Sequence, residues 1–270
     1  MRNILDTPLA VCALSLVAMG LSAQIGVFFR NRLVSLEEDE RQDFGIVIPA
    51  TLTLLGLIIG FSFSMATNRY DQRKNYEEAE ANAIGTEYVR ADLLSTSDAD
   101  RVHELLKNYL DQRVLFYETR DEKQLGRING QTTQLQSELW SVVRAAAAKQ
   151  PTYPVGLAVS GMNDVLNSEG YTQAAWLYRL PVAAWAFMAA IAIFSTLLIG
   201  YSSHRRGIAV PVVVPLAVSI SFFLIADIES PRHGLIRVVP QNLIRLSQSL
   251  RAQQALIPPH PVSLQRGNAE

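Results

Sequence analysis

Residues 46–66 carry no charge, and the chain then passes straight into a segment, residues 67–94, with charge at almost every turn. No proline follows Pro49 in this stretch, and the charged half has a single glycine, Gly85. An apolar run of about 20 residues makes a helix of ~30 Å, the depth of a bilayer's hydrocarbon core. The pattern therefore predicts one long helix that starts in lipid at Ile46, leaves it near Asn68 and continues through water. Pro49 is expected in its first turn, where a missing N–H costs little.

Three more runs are as apolar. Charged residues make up 18% of the 270, against about 25% in a soluble domain, and the deficit sits in these four blocks. Residues 8–29 suit a first span. A secretory signal with cleavage near Leu21-Ser22-Ala23 is the competing reading, but the apolar run continues to Phe29 and Asp6 interrupts the basic leader. Residues 181–201 and 208–228 form the third and fourth spans. Trp176, Tyr178, Trp185 and Tyr201 stand near the ends of the third, as interfacial aromatics do. The expected class is an all-α polytopic membrane protein with four transmembrane helices and a helical water-side module between spans two and three.

The expected division is residues 1–66 for the first two spans, 67–180 for the helical region continuing the second, 181–229 for the third and fourth, 230–256 for an amphipathic segment and 257–270 for a disordered tail. Within 67–180, Val102, Leu105, Leu106, Tyr109, Leu110, Val114 and Tyr117 recur at helical spacing, with Ser95 and Asp98 as caps. A second helix covers residues 132–149, and Gly126 and Gly130 mark the residues before it as a connector. Pro151 and Pro154 end that helix. A third is expected over 155–167, a fourth from Tyr171 into the membrane, and a last one over 241–255. Arg2, Arg69, Arg73, Lys74, Arg179, Arg232, Arg237 and Arg245 on one side outnumber Arg30, Arg32, Arg41, Arg205 and Arg206 on the other. That bias puts both termini and the helical region in the cytoplasm, across a plasma (bacterial inner) membrane.

No G-x-S-x-G, phosphate-binding glycine loop or H-E-x-x-H occurs, and no enzyme or cofactor is expected. The formal charge of −1 gives no field for nucleic acid. Cys12 has no partner for a disulfide. His103, His204, His233 and His260 are scattered, and no metal site is expected. Glu77, Glu78, Glu80 and Glu87, with Arg73, Lys74 and Arg90 at helical spacing, read as a salt-bridged surface.

The second span has two adjacent faces. Gly56, Gly60 and Ser64 are spaced by four, the small-residue pattern that lets helices approach closely. Thr53, Leu57 and Phe61 run beside them, and a row of apolar side chains can gate ions by excluding water. Packing between helices explains the same spacings. At the membrane boundary, Arg69, Asp227, Glu229, Arg232 and Arg237 form a charge cluster that reads as ion-paired caps rather than an ion or proton site.

The stretch GFSFSMATNRYDQR, Gly60 to Arg73, resembles the bestrophin pattern of Gly-Phe within the second span followed by Arg and an aromatic, here Arg69 and Tyr70. Ile228, Pro231 and Gly234 resemble the Ile-x-x-Pro-x-x-Gly turn after the last bestrophin span. NRYDQR, EEAEANAIGTEYVRADLL and SPRHGLIRV are similar to bacterial bestrophin-like membrane proteins over about half of the chain. The resemblance implies a pentameric channel for anions such as chloride, with Thr53, Leu57 and Phe61 as its neck. Thr53 is polar where an apolar residue is implied. Nothing after Pro231 matches the acidic calcium-binding run of animal bestrophins, so calcium gating is not expected. The alternative function is a non-conducting scaffold or envelope sensor that binds a protein partner through the helical region.

Overall fold

The computed structural model describes residues 7–32, 38–202 and 209–256. Arg2, the loop with His204, Arg205 and Arg206, and the tail with His260 lie outside the described residues. The protein is all-α, and among the described residues there is no strand. In chain order the helices are α1 (Pro8–Arg32), α2 (Glu38–Arg90), α3 (Thr96–Glu118), α4 (Glu122–Lys149), α5 (Tyr153–Leu177), α6 (Val182–Ser202), α7 (Ala209–Glu229) and α8 (Gln241–Leu256). A 3-10 turn, Ala91–Leu93, closes α2. Among the described residues, four helical segments are long and apolar enough to cross a membrane: α1, α2, α5 running into α6, and α7.

The long helix exists, and it starts earlier than its apolar run. Glu38 onward is rich in good helix formers, so Pro49 lies inside α2 instead of in its first turn. The proline carbonyl keeps a side-chain partner, the Thr53 hydroxyl donating at 2.8 Å.

Two compact units divide the chain. The first comprises residues 1–76 and 170–238, the second residues 77–169 and 239–270. In the first, Met19 of α1, Leu55 of α2, Met188 and Ala192 of α6, and Phe222 and Ile225 of α7 share one apolar core. Helices α1 and α6 approach closely. A Cβ on Gly200 would strike the Ala23 carbonyl, and one on Gly26 would strike the Leu197 carbonyl and come within 2.8 Å of the Tyr201 nitrogen. The Ser22 hydroxyl ties the same helices, donating to the Ile193 carbonyl at 2.7 Å. Small residues thus do bring membrane helices together, at positions other than those singled out on α2.

In the second unit α3 packs on α4, and of the expected stripe Val102, Leu105, Leu106, Tyr109, Leu110 and Tyr117 are buried, as are Leu139 and Val143 of α4, while Val114 is half-buried. Ser95 caps α3, its hydroxyl accepting from the Asp98 N–H at 3.4 Å. Gly126 and Gly130 do not break the chain. Helix α4 starts at Glu122, capped by Asp121, and runs through both. A glycine costs a helix about 1 kcal/mol, and burial of Ile128 on the same stretch offsets it. Nor are there two helices between Val155 and the membrane. Val155, Ala158, Met162 and Val165 form one buried stripe, and α5 continues past Gly170 to Leu177, with Pro154 in its first turn.

The acidic run on α2 is not a surface. Glu77, Glu80 and Glu87 are 1%, 0% and 0% exposed, and Glu78 alone of the four faces solvent. Each buried acid has its own setting. Glu77 caps the start of α8, accepting from the N–H groups of Asn242 and Leu243 at 2.9 and 3.0 Å and from the Asn242 amide at 2.7 Å. Glu80 binds Arg113, which is itself fully buried, and accepts from the Tyr117 hydroxyl at 3.4 Å. Glu169 lies 3.6 Å from the same guanidinium. Helical spacing alone pairs residues on one helix; here the partners come from α3 and α8.

Candidate functional site

Helix α2 crosses the first unit with little cover from its own chain. Only 6% of its apolar window is buried, against 44% for α7 and 28% for α1. Thr53, Leu57 and Phe61 all stand on its uncovered side, Leu57 54% and Phe61 62% exposed. Gly56, Gly60 and Ser64 are also exposed, and a Cβ built on either glycine meets nothing within 4 Å. Among the described residues, nothing lies within 4 Å of a Cβ at Gly56 or Gly60, and the other four side chains are exposed. The buried side of the span is a different set, Leu55, Ser62 and Ala66.

Just past the span the charge cluster is assembled around helix ends. Arg69 donates to Glu229 at 3.1 Å, and the same carboxylate accepts the Leu180 N–H at 2.6 Å. Pro181 starts the turn into α6, so Glu229 binds the last free N–H before that helix. Asp227, 2% exposed, is taken up by backbone: it accepts from the N–H groups of Leu235 and Ile236 at 2.7 and 2.8 Å. This clamp folds residues 230–236 back on the end of α7. Gly234 is required there, since a Cβ would strike the Asp227 carbonyl and lie 2.8 Å from that of Ser230. Arg232 stacks over Trp176, 4.4 Å from the ring centroid. Arg237 is half-buried on the same turn. The cluster thus joins Arg69 to Glu229, while Asp227 serves the backbone and Arg232 an aromatic face.

Its central member is one the sequence treatment put on a surface. Arg73, 1% exposed, donates to three carbonyls: Ala175 at 3.2 Å, Tyr178 at 3.4 Å and Ile228 at 3.1 Å. Ala175 and Tyr178 belong to the end of α5 and Ile228 to the end of α7. Helix C-termini leave carbonyls without intrahelical donors and carry partial negative charge, so one guanidinium satisfies two of them at once. The available signal was that Arg73 follows Arg69 by four residues, on the same face of α2.

These features define a polytopic, all-helical membrane protein whose second span is bared to its surroundings and whose spans two, three and four are locked at one boundary by arginines. The Bestrophin-like domain model matches residues 16–243, and the chain belongs to the Bestrophin-like family. Solved structures of a bacterial Bestrophin homolog from Klebsiella pneumoniae are similar in fold. One aligns with a TM-score of 0.62 at 13% identity, over 91% of this chain and 99% of that one. A single-substitution variant aligns with a TM-score of 0.65 at 14% identity, over 92% and 98%. A crystal structure described as a membrane protein gives 0.62 at 12% identity, over 90% and 98%. Among curated proteins, no sequence match was found.

Proposed function

We propose that this protein is a homo-oligomeric anion channel of the bacterial inner membrane, with α2 lining the conduction path. The observation that carries this reading is the uncovered side of α2, where a glycine-rich strip adjoins Thr53, Leu57 and Phe61. An apolar span bared to lipid needs no strip of small residues. One that meets copies of itself does, because glycine lets backbones come together. Leu57 and Phe61 then face the axis and narrow the path by excluding water. The Thr53 hydroxyl, bonded to the Pro49 carbonyl, shows the axis a less polar surface than a free hydroxyl. Arginine excess at the boundary, Arg69, Arg73, Arg232 and Arg237 against Asp227 and Glu229, favours anions. Five subunits, chloride as the ion and cytoplasmic termini follow from the family resemblance and the distribution of basic residues.

Purified protein in liposomes, followed by halide flux, tests the proposal. Flux above empty vesicles is expected, and Phe61→Ala should raise it about tenfold if the ring contributes ~1.4 kcal/mol to the barrier. Flux equal to empty vesicles, for wild type and variant alike, removes the channel. A stoichiometric partner protein and no self-assembly after mild extraction would then favour the scaffold.

A further inference from the structure

Glu87 lies in the second unit and takes no part in the proposed path. It is 0% exposed, and neither carboxyl oxygen has a hydrogen-bond partner among the described residues. Buried carboxylates are ordinarily paired or hydrogen-bonded, as Glu77 and Glu80 are on the same helix. What lies over Glu87 is the backbone of α5. The carboxyl lies directly against Gly161: a Cβ there would strike Glu87 Oε2 and come within 2.7 Å of Arg90 Nη1, so a larger residue would displace these side-chain ends. The charged groups acting on the carboxyl are Arg90 on its own helix, which favours ionisation, and Asp164 on α5, which opposes it. From α3, His103 stacks on the adjacent Tyr88 at 4.1 Å, bonds its carbonyl at 2.8 Å and lies 3.5 Å from Asp92.

We propose that Glu87 is a proton-binding site built into the contact between α2 and α5: as a neutral acid it packs beneath Gly161, and its ionisation favours opening of that contact. The proton leaves from the carboxyl oxygen to bulk water when the contact opens, so no other reactant is needed. Burial is the main influence, and it pushes the carboxyl up to about 8, with Arg90 and Asp164 acting in opposite directions. The sign follows. An exposed carboxyl in the opened contact ionises at its ordinary value near 4.3, whereas the closed contact holds the proton to about 8. Between those values the opened form gains on the closed one by up to about tenfold per pH unit, and above them the balance levels off.

Hydrogen exchange of the full-length protein in detergent, read on α5 around Gly161 and corrected for intrinsic rates, tests this. Protection should fall as pH rises from about 5 to about 8 and then level off. Glu87→Gln, which keeps the neutral shape, should hold protection constant across that range. Asp164→Asn, an exposed change that leaves the core alone, should move the levelling point to lower pH. An infrared band of a protonated carboxyl near neutral pH, lost in Glu87→Gln, is the companion signature. The same pH dependence in Glu87→Gln as in wild type, no shift in Asp164→Asn, or no such band would each overturn the proposal.

Discussion

Arg73 shows how much one side chain holds at the boundary. Its guanidinium answers carbonyls at the ends of two helices, so its removal leaves buried acceptors without donors. Each such loss costs about 1–3 kcal/mol. Arg73→Met, which keeps most of the apolar stem, should lower stability by ~3 kcal/mol, measured as the midpoint of thermal unfolding in detergent. An unchanged midpoint would mean those contacts contribute nothing. The Glu80–Arg113 pair is buried on both sides. Glu169 still faces the guanidinium when Glu80 is neutral, whereas removing Arg113 leaves Glu80 as a buried charge without its counterion, so Arg113→Met should cost about 3–5 kcal/mol, again visible as a lower midpoint. Neither arrangement was legible in advance. Sequence spacing shows which residues share a helix face, whereas the partners of Arg73 and Glu80 come from segments far along the chain. A charge on a polar-side helix reads as solvated until those segments are in place.

Among the helices, those with a strong apolar period were legible: the four spans, α3 and α8 follow from run length and spacing. The misread places are where local propensity and packing disagree. Gly126 and Gly130 carry a weak preference against helix, and Ile128, buried on the same turns, outweighs it. Gly170 is similar within α5. The crossing of α1 and α6 was missed because Gly26 and Gly200 are single glycines rather than a four-spaced set. That crossing makes a direct prediction. Gly200→Ala places a methyl on the Ala23 backbone, and such overpacking costs about 1–3 kcal/mol or pushes the helices apart. Gly60→Ala meets nothing within 4 Å among the described residues and should leave the unfolding midpoint of dispersed single subunits unlowered, or raise stability by up to about 1 kcal/mol. Equal effects of the two would remove the distinction drawn between an intrachain contact and an open face.

For the whole molecule, family and fold were readable because the stretch from Gly60 to Arg73 and the run up to Leu94 carry the resemblance. The use of α2 is inferred from what its own chain leaves uncovered, and the account rests on copies of α2 meeting across an axis at Leu57 and Phe61. The chain has one native cysteine, Cys12, so Leu57→Cys in a Cys12→Ser background introduces a single thiol per subunit. Oxidation of this variant in native membranes, read on a non-reducing gel, is the most direct measurement. A covalent dimer that disappears on reduction is the predicted result. Persistence of the monomer alone, with the thiol still reactive to a small water-soluble reagent, would contradict it.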